Sequence, residues 1–222
     1  MMHRLSSLLV AASAALALAG CATLPEPPSP TVLYDFGAAA PAQPAAQPAS
    51  QTSSQAPNQP PSLLLASVSA SGLPTDSQVM LYRLAYADDL QLRGYQNARW
   101  SQPVQRLFEQ QLRQQLERTR VVLDADFSPA RLREDGIAPP VLRADVERFE
   151  QVFPSDSASG AIVRVRATVV RSSAQGDQVL GQRVFERSAN AASADASGGA
   201  QAMAQAARQV AADIDAWLAQ LK

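Results

Sequence analysis

Apolar and polar positions alternate most regularly from Ala161 to Val169. Ala161, Val163, Val165, Ala167 and Val169 form one face, and Arg164, Arg166 and Thr168 fall on the other. That is the pattern of a strand in a sheet covered on one side. Ser172–Asp177 reads as a turn, and Val179–Arg187 as the antiparallel return. Leu63–Ala70 starts apolar on both sides and alternates later, so it reads as a strand. Gln78–Ala85 is a further strand, closed by Asp88-Asp89. Leu90–Tyr95 is the return arm of a hairpin leading into Gln96-Asn97-Ala98-Arg99-Trp100. Val121-Val122-Leu123 is a short strand ending at Asp124. Val141–Phe153 alternates poorly through Leu142, Ala144, Val146, Arg148 and Glu150. It could be helix or strand, and Pro139, Pro140 and Pro154, which bound it at strand length, favour the strand. Thr31–Phe36 is short and β-favouring and reads as a first strand, with an apolar patch in a disordered leash as the alternative.

Two segments carry helical periodicity instead. Ser101 stands where an N-cap would, Pro103 suits a first turn, and the helix is expected from Pro103 to about Arg118. Val104, Leu107, Phe108, Leu112 and Leu116 share one side, with Arg106, Glu109, Arg113 and Glu117 opposite. The second helix follows a small-residue loop expected over Ala189–Gly199. Its apolar stripe runs Met203, Ala207, Val210, Ile214, Trp217 and Leu221, widened by Ala200, Ala204, Ala211 and Leu218. So many alanines fit close docking on a sheet better than a coiled coil. The pattern as a whole predicts an α/β (α+β) fold: one domain, with a mixed, largely antiparallel sheet packed by two main amphipathic helices.

The remaining stretches lack such patterns. Residues 37–61 are Ala, Pro, Gln and Ser with almost no apolar bulk, and are expected to be disordered. Ser128–Pro140 is polar and proline-marked, a loop with a helical turn. At the start, Met1–Arg4 is a short basic lead, Leu5–Ala19 is apolar apart from three serines, and Leu18-Ala19-Gly20-Cys21 follows. Lead, apolar run and small residues are the layout of a secretory signal, too short to favour a permanent membrane span. Leu18-Ala19-Gly20-Cys21 resembles the lipobox of bacterial lipoproteins. That resemblance implies removal of residues 1–20 and lipidation of Cys21. Residues 21–30, with Pro25, Pro27, Pro28 and Pro30, are then an extended leash of at most roughly 33 Å.

Composition narrows the chemistry. Net charge is -1, and loss of Arg4 with the signal takes it to -2, so no basic field exists to gather nucleic acid. Cys21 is the single cysteine and His3 the single histidine. A mature chain without histidine cannot build a Ser-His-Asp machine and lacks the commonest zinc ligand. Carboxylate pairs such as Asp88/Asp89, Asp124/Asp126 and Glu134/Asp135 sit in polar, turn-like stretches and read as solvated loop acids. No glycine-rich phosphate loop or calcium-loop spacing occurs. A binding or structural role without cofactor or metal is favoured over catalysis. Arg164 and Arg166 read as a solvated sheet face, with a lipid headgroup or acidic partner as the alternative.

Several segments in order resemble one family, the ABC-type transport auxiliary lipoproteins. They are Met80-Leu81-Tyr82-Arg83, then Tyr95-Gln96-Asn97-Ala98-Arg99-Trp100 with Pro103 and the Leu107-Phe108…Leu112…Leu116 helix. Leu142–Phe149, Val163–Ala167, Gln182–Phe185 and Trp217-Leu218 follow. The resemblance spans roughly 31–221, so the domain is expected over 31–222, and the insertion at 37–61 departs from the pattern. It implies a periplasm-facing α/β domain, lipid-anchored to the outer membrane. It also implies an MCE-domain partner and, through it, an inner-membrane ABC permease and ATPase that move phospholipids or related hydrophobic compounds. Ala22 after the cysteine is similar to the signal for outer-membrane sorting. Self-association stays open, as does a rival role as a free-standing envelope lipoprotein, an assembly chaperone or pilotin. For Tyr95, Asn97, Arg99 and Trp100 two readings stand. Trp100 packs under the first helix while Asn97 and Arg99 tie down the turn before it, or the four residues contact a partner.

Overall fold

The computed structural model describes residues 29–37, 61–74, 78–124, 138–173 and 176–221. The signal segment, Cys21, most of the leash and insertion, Asp126, Glu134, Asp135 and the expected helical turn before Pro140 lie outside them. Among the described residues of the unit Thr31–Lys222 the chain forms one eight-stranded sheet and two helices. The strands are β1 (Val32–Tyr34), β2 (Ser62–Leu65), β3 (Val79–Leu84), β4 (Asp88–Trp100), β5 (Val121–Asp124), β6 (Val141–Phe153), β7 (Gly160–Ser173) and β8 (Gly176–Asn190). The helices are α1 (Val104–Leu116) and α2 (Ala196–Leu218).

Three long strands form an antiparallel meander, β6–β7–β8. Along its other edge β6 pairs parallel with β2 through Val141 and Leu142, and with β3 through Gln151–Phe153. β5 extends β2, while β4 and then β1 extend β3. The sheet is therefore mixed as predicted, with antiparallel pairing carrying the long ladders. Thr31–Phe36 does contribute a strand: Val32, Leu33 and Tyr34 pair in parallel with Ala98, Arg99 and Trp100.

Both helices lie on one sheet face. α2 packs across β7 and β8 and touches β6, and α1 lies against α2. The five residues expected on the inner side of α1 are all buried. So are Met203, Ala207, Val210, Ile214 and Trp217 of α2. Burying side chains of this size stabilises by roughly 1.5–3 kcal/mol each, alanines less, which makes this face the main apolar core. On the opposite face Glu147 bonds Arg164 at 2.9 Å and also pairs with Arg166, and Arg164 reaches Glu186 at 3.3 Å. Arg164 and Arg166 are thus exposed but ion-paired.

Four local expectations are corrected. α1 starts at Val104, and Pro103, with no side-chain cap bond, holds the N-cap position assigned to Ser101; α1 ends at Leu116, short of Arg118. Ala189 and Asn190 belong to β8, and helix begins at Ala196, so the loop is five residues rather than Ala189–Gly199. Asp195 caps α2 by accepting the Gly198 N–H at 2.8 Å. Gln96–Trp100 is strand, not the turn before α1, and Asp88-Asp89 opens β4. β6 is a strand whose weak alternation has a physical cause. A bulge between Val146 and Arg148 shifts the register, so Leu142, Ala144 and Val146 face inward before it and Phe149, Gln151 and Phe153 after it.

Candidate functional site

The segment singled out by sequence, Tyr95–Trp100, sits where β4, paired with β3 on one edge, gains β1 on the other. Gly94 pairs with Leu81, yet Arg99 already pairs with Val79, so residues 95–98 swell out of the ladder. A bulge of this size strips carbonyls of their strand partners. Arg99 replaces them: its guanidinium donates to the Tyr95 carbonyl and, at 2.9 Å, to that of Ala98. The expected tie is real for Arg99, although it closes a bulge inside a strand instead of a turn before a helix.

Trp100 is fully buried. Its ring meets Phe36 and Phe149 edge-on at 5.6 and 5.5 Å, and those two rings stack on each other at 5.6 Å. The tryptophan and Phe36, two residues past the end of β1, therefore stabilise each other, which fastens β1 to the core.

Tyr95 is half-buried beside Tyr82, with ring centroids 4.6 Å apart. Its hydroxyl donates to Gln151 Oε1 at 2.9 Å. Burial, reinforced by Tyr82, Asp195 and Tyr34, pushes its hydroxyl pKa up to about 12. Gln151 has no solvent exposure, and its Nε2 donates to Ser159 Oγ at 2.7 Å and to the Asp195 carbonyl at 3.1 Å. One amide thus joins β4, β6, the β6–β7 turn and the α2 cap. Gly199 makes room for it: a Cβ there would stand 1.8 Å from Gln151 Oε1. Sequence reasoning did not find Gln151; its traces are the adjacent Gly198-Gly199 behind Asp195.

Asn97 is exposed on the crown of the bulge. Beside it runs a groove of about 500 Å³ walled by Val32, Tyr34, Tyr82, Tyr95, Gln96 and Ala98. Of the four residues nominated, then, Asn97 is open, Tyr95 lines the groove with its hydroxyl turned inward, Arg99 is engaged by the backbone, and Trp100 is core.

Two further buried acids were missed by sequence. Glu150 sits between Arg83 and Arg148, at 3.1 and 2.5 Å. Asp215 on α2 accepts from Gln115 at 3.1 Å and Thr119 at 3.0 Å and pairs with Arg120, clamping α1 to α2. Asp88, Asp89 and Asp124 are exposed, and Asp124 pairs with Arg113 at 2.5 Å. Each buried carboxylate is held by arginine, an arrangement suited to fixing elements together. Among the described residues no helix is long and apolar enough to cross a membrane.

Comparison with known proteins agrees with this architecture. Protein XCC0632 from Xanthomonas campestris has a similar fold, with TM-score 0.58 and 23% identity over 88% of this chain and 90% of its own. An uncharacterized protein matches with TM-score 0.56 and 13% identity over 86% of this chain and 99% of its own. At these identities the likeness is one of fold. No curated protein sequence matches the chain. The model of one family aligns with residues 43–215, a span that takes in the bulge, the amide node and nearly all of α2 while starting after β1. By that match the chain belongs to the family of ABC-type transport auxiliary lipoprotein components.

Proposed function

We propose that this protein is a lipid-anchored, non-enzymatic accessory subunit of an MCE-type ABC transport system, working at the periplasmic side of the outer membrane. The observation that carries the reading is the family match over 43–215 behind Leu18-Ala19-Gly20-Cys21. Cys21 would be the lipidated residue, 1–20 the discarded signal, and 31–222 the working domain. The domain docks an MCE-domain partner and, through it, serves an inner-membrane permease and ATPase that move phospholipids or related hydrophobic compounds. Buried acids locked to arginines support a scaffold role. Within the bulge segment, contact with the partner falls to Asn97 and the groove beside it, because Trp100 and Arg99 are already committed to the fold.

The test is isolation of the crosslinked protein from membranes. An MCE-domain protein should accompany it. Its absence, with some other outer-membrane machine in its place, would overturn the proposal in favour of a free-standing chaperone or pilotin. Cys21→Ser should abolish fractionation with the outer membrane, and a variant still found there would refute the anchor.

A further inference from the structure

β3 stays paired with β6 as far as Leu84, but the end of the β3–β4 hairpin stands out from the sheet: Leu84 pairs with Asp88 while Arg83 pairs with Leu92, so residues 89–91 bulge beside the turn. Side chains alternate between faces along a strand, yet Asp88–Leu92 are exposed without a break, so neither face is covered there. Three large apolar side chains stand on this tip. Tyr86 in the turn is 52% exposed, Leu90 is 87% and Leu92 is 40%. At that exposure Leu90 adds almost nothing to the core. The tip's backbone is fixed by its own groups: Asp88 Oδ1 accepts the Leu90 N–H at 3.0 Å, and the Asp89 carbonyl accepts from Arg83.

Strand direction says which way the tip points. β1 runs parallel to β4, with Val32 opposite Ala98, and β4 begins at the hairpin turn. The polypeptide therefore comes into β1 from the side of the tip. From Cys21 to Val32 is eleven residue steps, at most about 36 Å of extended chain. Along the ladder Arg99 faces Val79 and Asp88 faces Leu84, five steps of β3, so the start of the tip lies about 17 Å back from the residues that pair with β1. The chain ahead of β1 is therefore long enough to let the tip meet the surface that holds Cys21.

We propose that the β3–β4 tip is a second point of membrane contact, with Tyr86, Leu90 and Leu92 resting in the interface of the bilayer that holds the Cys21 lipid; this rests on Cys21 being the anchor. A tyrosine with two leucines suits the headgroup boundary, where an aromatic keeps its polar end wet. Asp88 and Asp89 flank the leucines, so the tip meets a zwitterionic surface readily and an anionic one poorly. Val179, also exposed, marks the opposite end of the sheet, since β7 runs against β6 and β3 runs with it.

The mature chain from Cys21 is coupled through its one thiol to maleimide-phosphatidylethanolamine in phosphatidylcholine vesicles. The tether is then present whether or not cells lipidate Cys21, which mass spectrometry of membrane-extracted protein decides separately. Leu90→Trp and Val179→Trp are compared by quenching with brominated acyl chains, after subtraction of the unsubstituted chain, whose Trp100 and Trp217 are buried. The Leu90→Trp signal should fall about two-fold and the Val179→Trp signal stay constant. Phosphatidylglycerol in the vesicles should weaken the quenching, and Asp88→Asn with Asp89→Asn should restore it. No quenching at position 90, or equal quenching at both positions, overturns the proposal. So does a concentration-dependent blue shift of Leu90→Trp without vesicles, which would assign the tip to a second copy of the chain.

Discussion

Replacing Gly199 with alanine sets two effects of known size against each other. Within a helix alanine is favoured over glycine by about 1 kcal/mol, so propensity alone predicts a more stable protein. The new methyl, however, would stand 1.8 Å from Gln151 Oε1 and 2.4 Å from its Cδ. The amide must swing away, which breaks its bonds to Tyr95, Ser159 and the Asp195 carbonyl. At about 1 kcal/mol net for each bond, the loss is about 3 kcal/mol. The expected balance is a destabilisation of about 2 kcal/mol, read by urea unfolding, or a fall in Tm of roughly 4–8 °C for a chain of this size. The cause is separable by a second substitution. In a Gln151→Ala background the clash is gone, and Gly199→Ala should be neutral or stabilise by up to about 1 kcal/mol. A Gly199→Ala protein as stable as its parent would refute the argument. An undiminished cost in the Gln151→Ala background would refute it equally.

Four further outcomes follow from the same geometry. In a spectrophotometric titration Tyr95 should ionise near pH 12, later than an unperturbed tyrosine, and Tyr95→Phe should remove that late step. Because its folded pKa is raised, its contribution to stability is complete below about pH 10 and is lost as pH rises through about 12. Burial would raise the Asp145 carboxyl, but hydrogen bonds from Ser69 and Ser71, with Arg166 nearby, hold it below the usual range; Arg164 and Arg166 overcome burial at Glu147 in the same way. Both contributions are present above the ordinary carboxylate pKa and lost as pH falls through the lowered folded values, so acid unfolding should set in below about pH 4 and move upward in Asp145→Asn. Asp215→Asn should lower stability by about 3 kcal/mol in urea, and adding Arg120→Met should recover most of it, because the unpaired guanidinium is what costs. Asn97→Ala should leave the unfolding midpoint unchanged while reducing recovery of the partner in crosslinked isolation; unchanged recovery would remove Asn97 from the contact.

What was legible in the sequence was whatever one face decides locally. β7 keeps its apolar residues at odd positions from Ala161 to Val169, and the inner sides of both helices repeat at helical spacing, so each could be read without knowing its neighbours. β6 was readable only by its proline boundaries, because the bulge near Glu147 switches its inward residues from even to odd. Gln96–Trp100 looked like a turn because α1 starts close behind it, whereas its strand character depends on β1, far away along the chain. The first turn of α2 reads as loop because Gly198 and Gly199 are poor helix residues. They are there because a Cβ on Gly198 would meet the Ser193 carbonyl at 2.2 Å, and one on Gly199 the Gln151 amide. Gln151 itself could not be found from spacing, since its partners come from three separate segments.

A segment can resemble its family because it must fold or because it must bind, and burial separates the two within six residues. Trp100 is sealed between Phe36, Phe149 and the helical layer, so its replacement by alanine would remove about 3–5 kcal/mol and any loss of partner would follow from unfolding. Arg99 holds the bulge closed, and without it the Tyr95 and Ala98 carbonyls lose their donor. These two residues are answerable to the fold. The bulge they maintain is what lifts Gln96 and Asn97 clear of the ladder and opens the groove against Tyr34 and Tyr82. A regular strand here would pair residues 95–98 with β3 and close that surface. The irregularity gives up ladder bonds that Arg99 only partly replaces, and in return it sets the Tyr95 hydroxyl against the buried Gln151 amide. Under the function proposed above the bulge has a second use, holding Gln96 and Asn97 out where a partner would meet them, and loss of partner in Asn97→Ala at unchanged stability is the result that would show it.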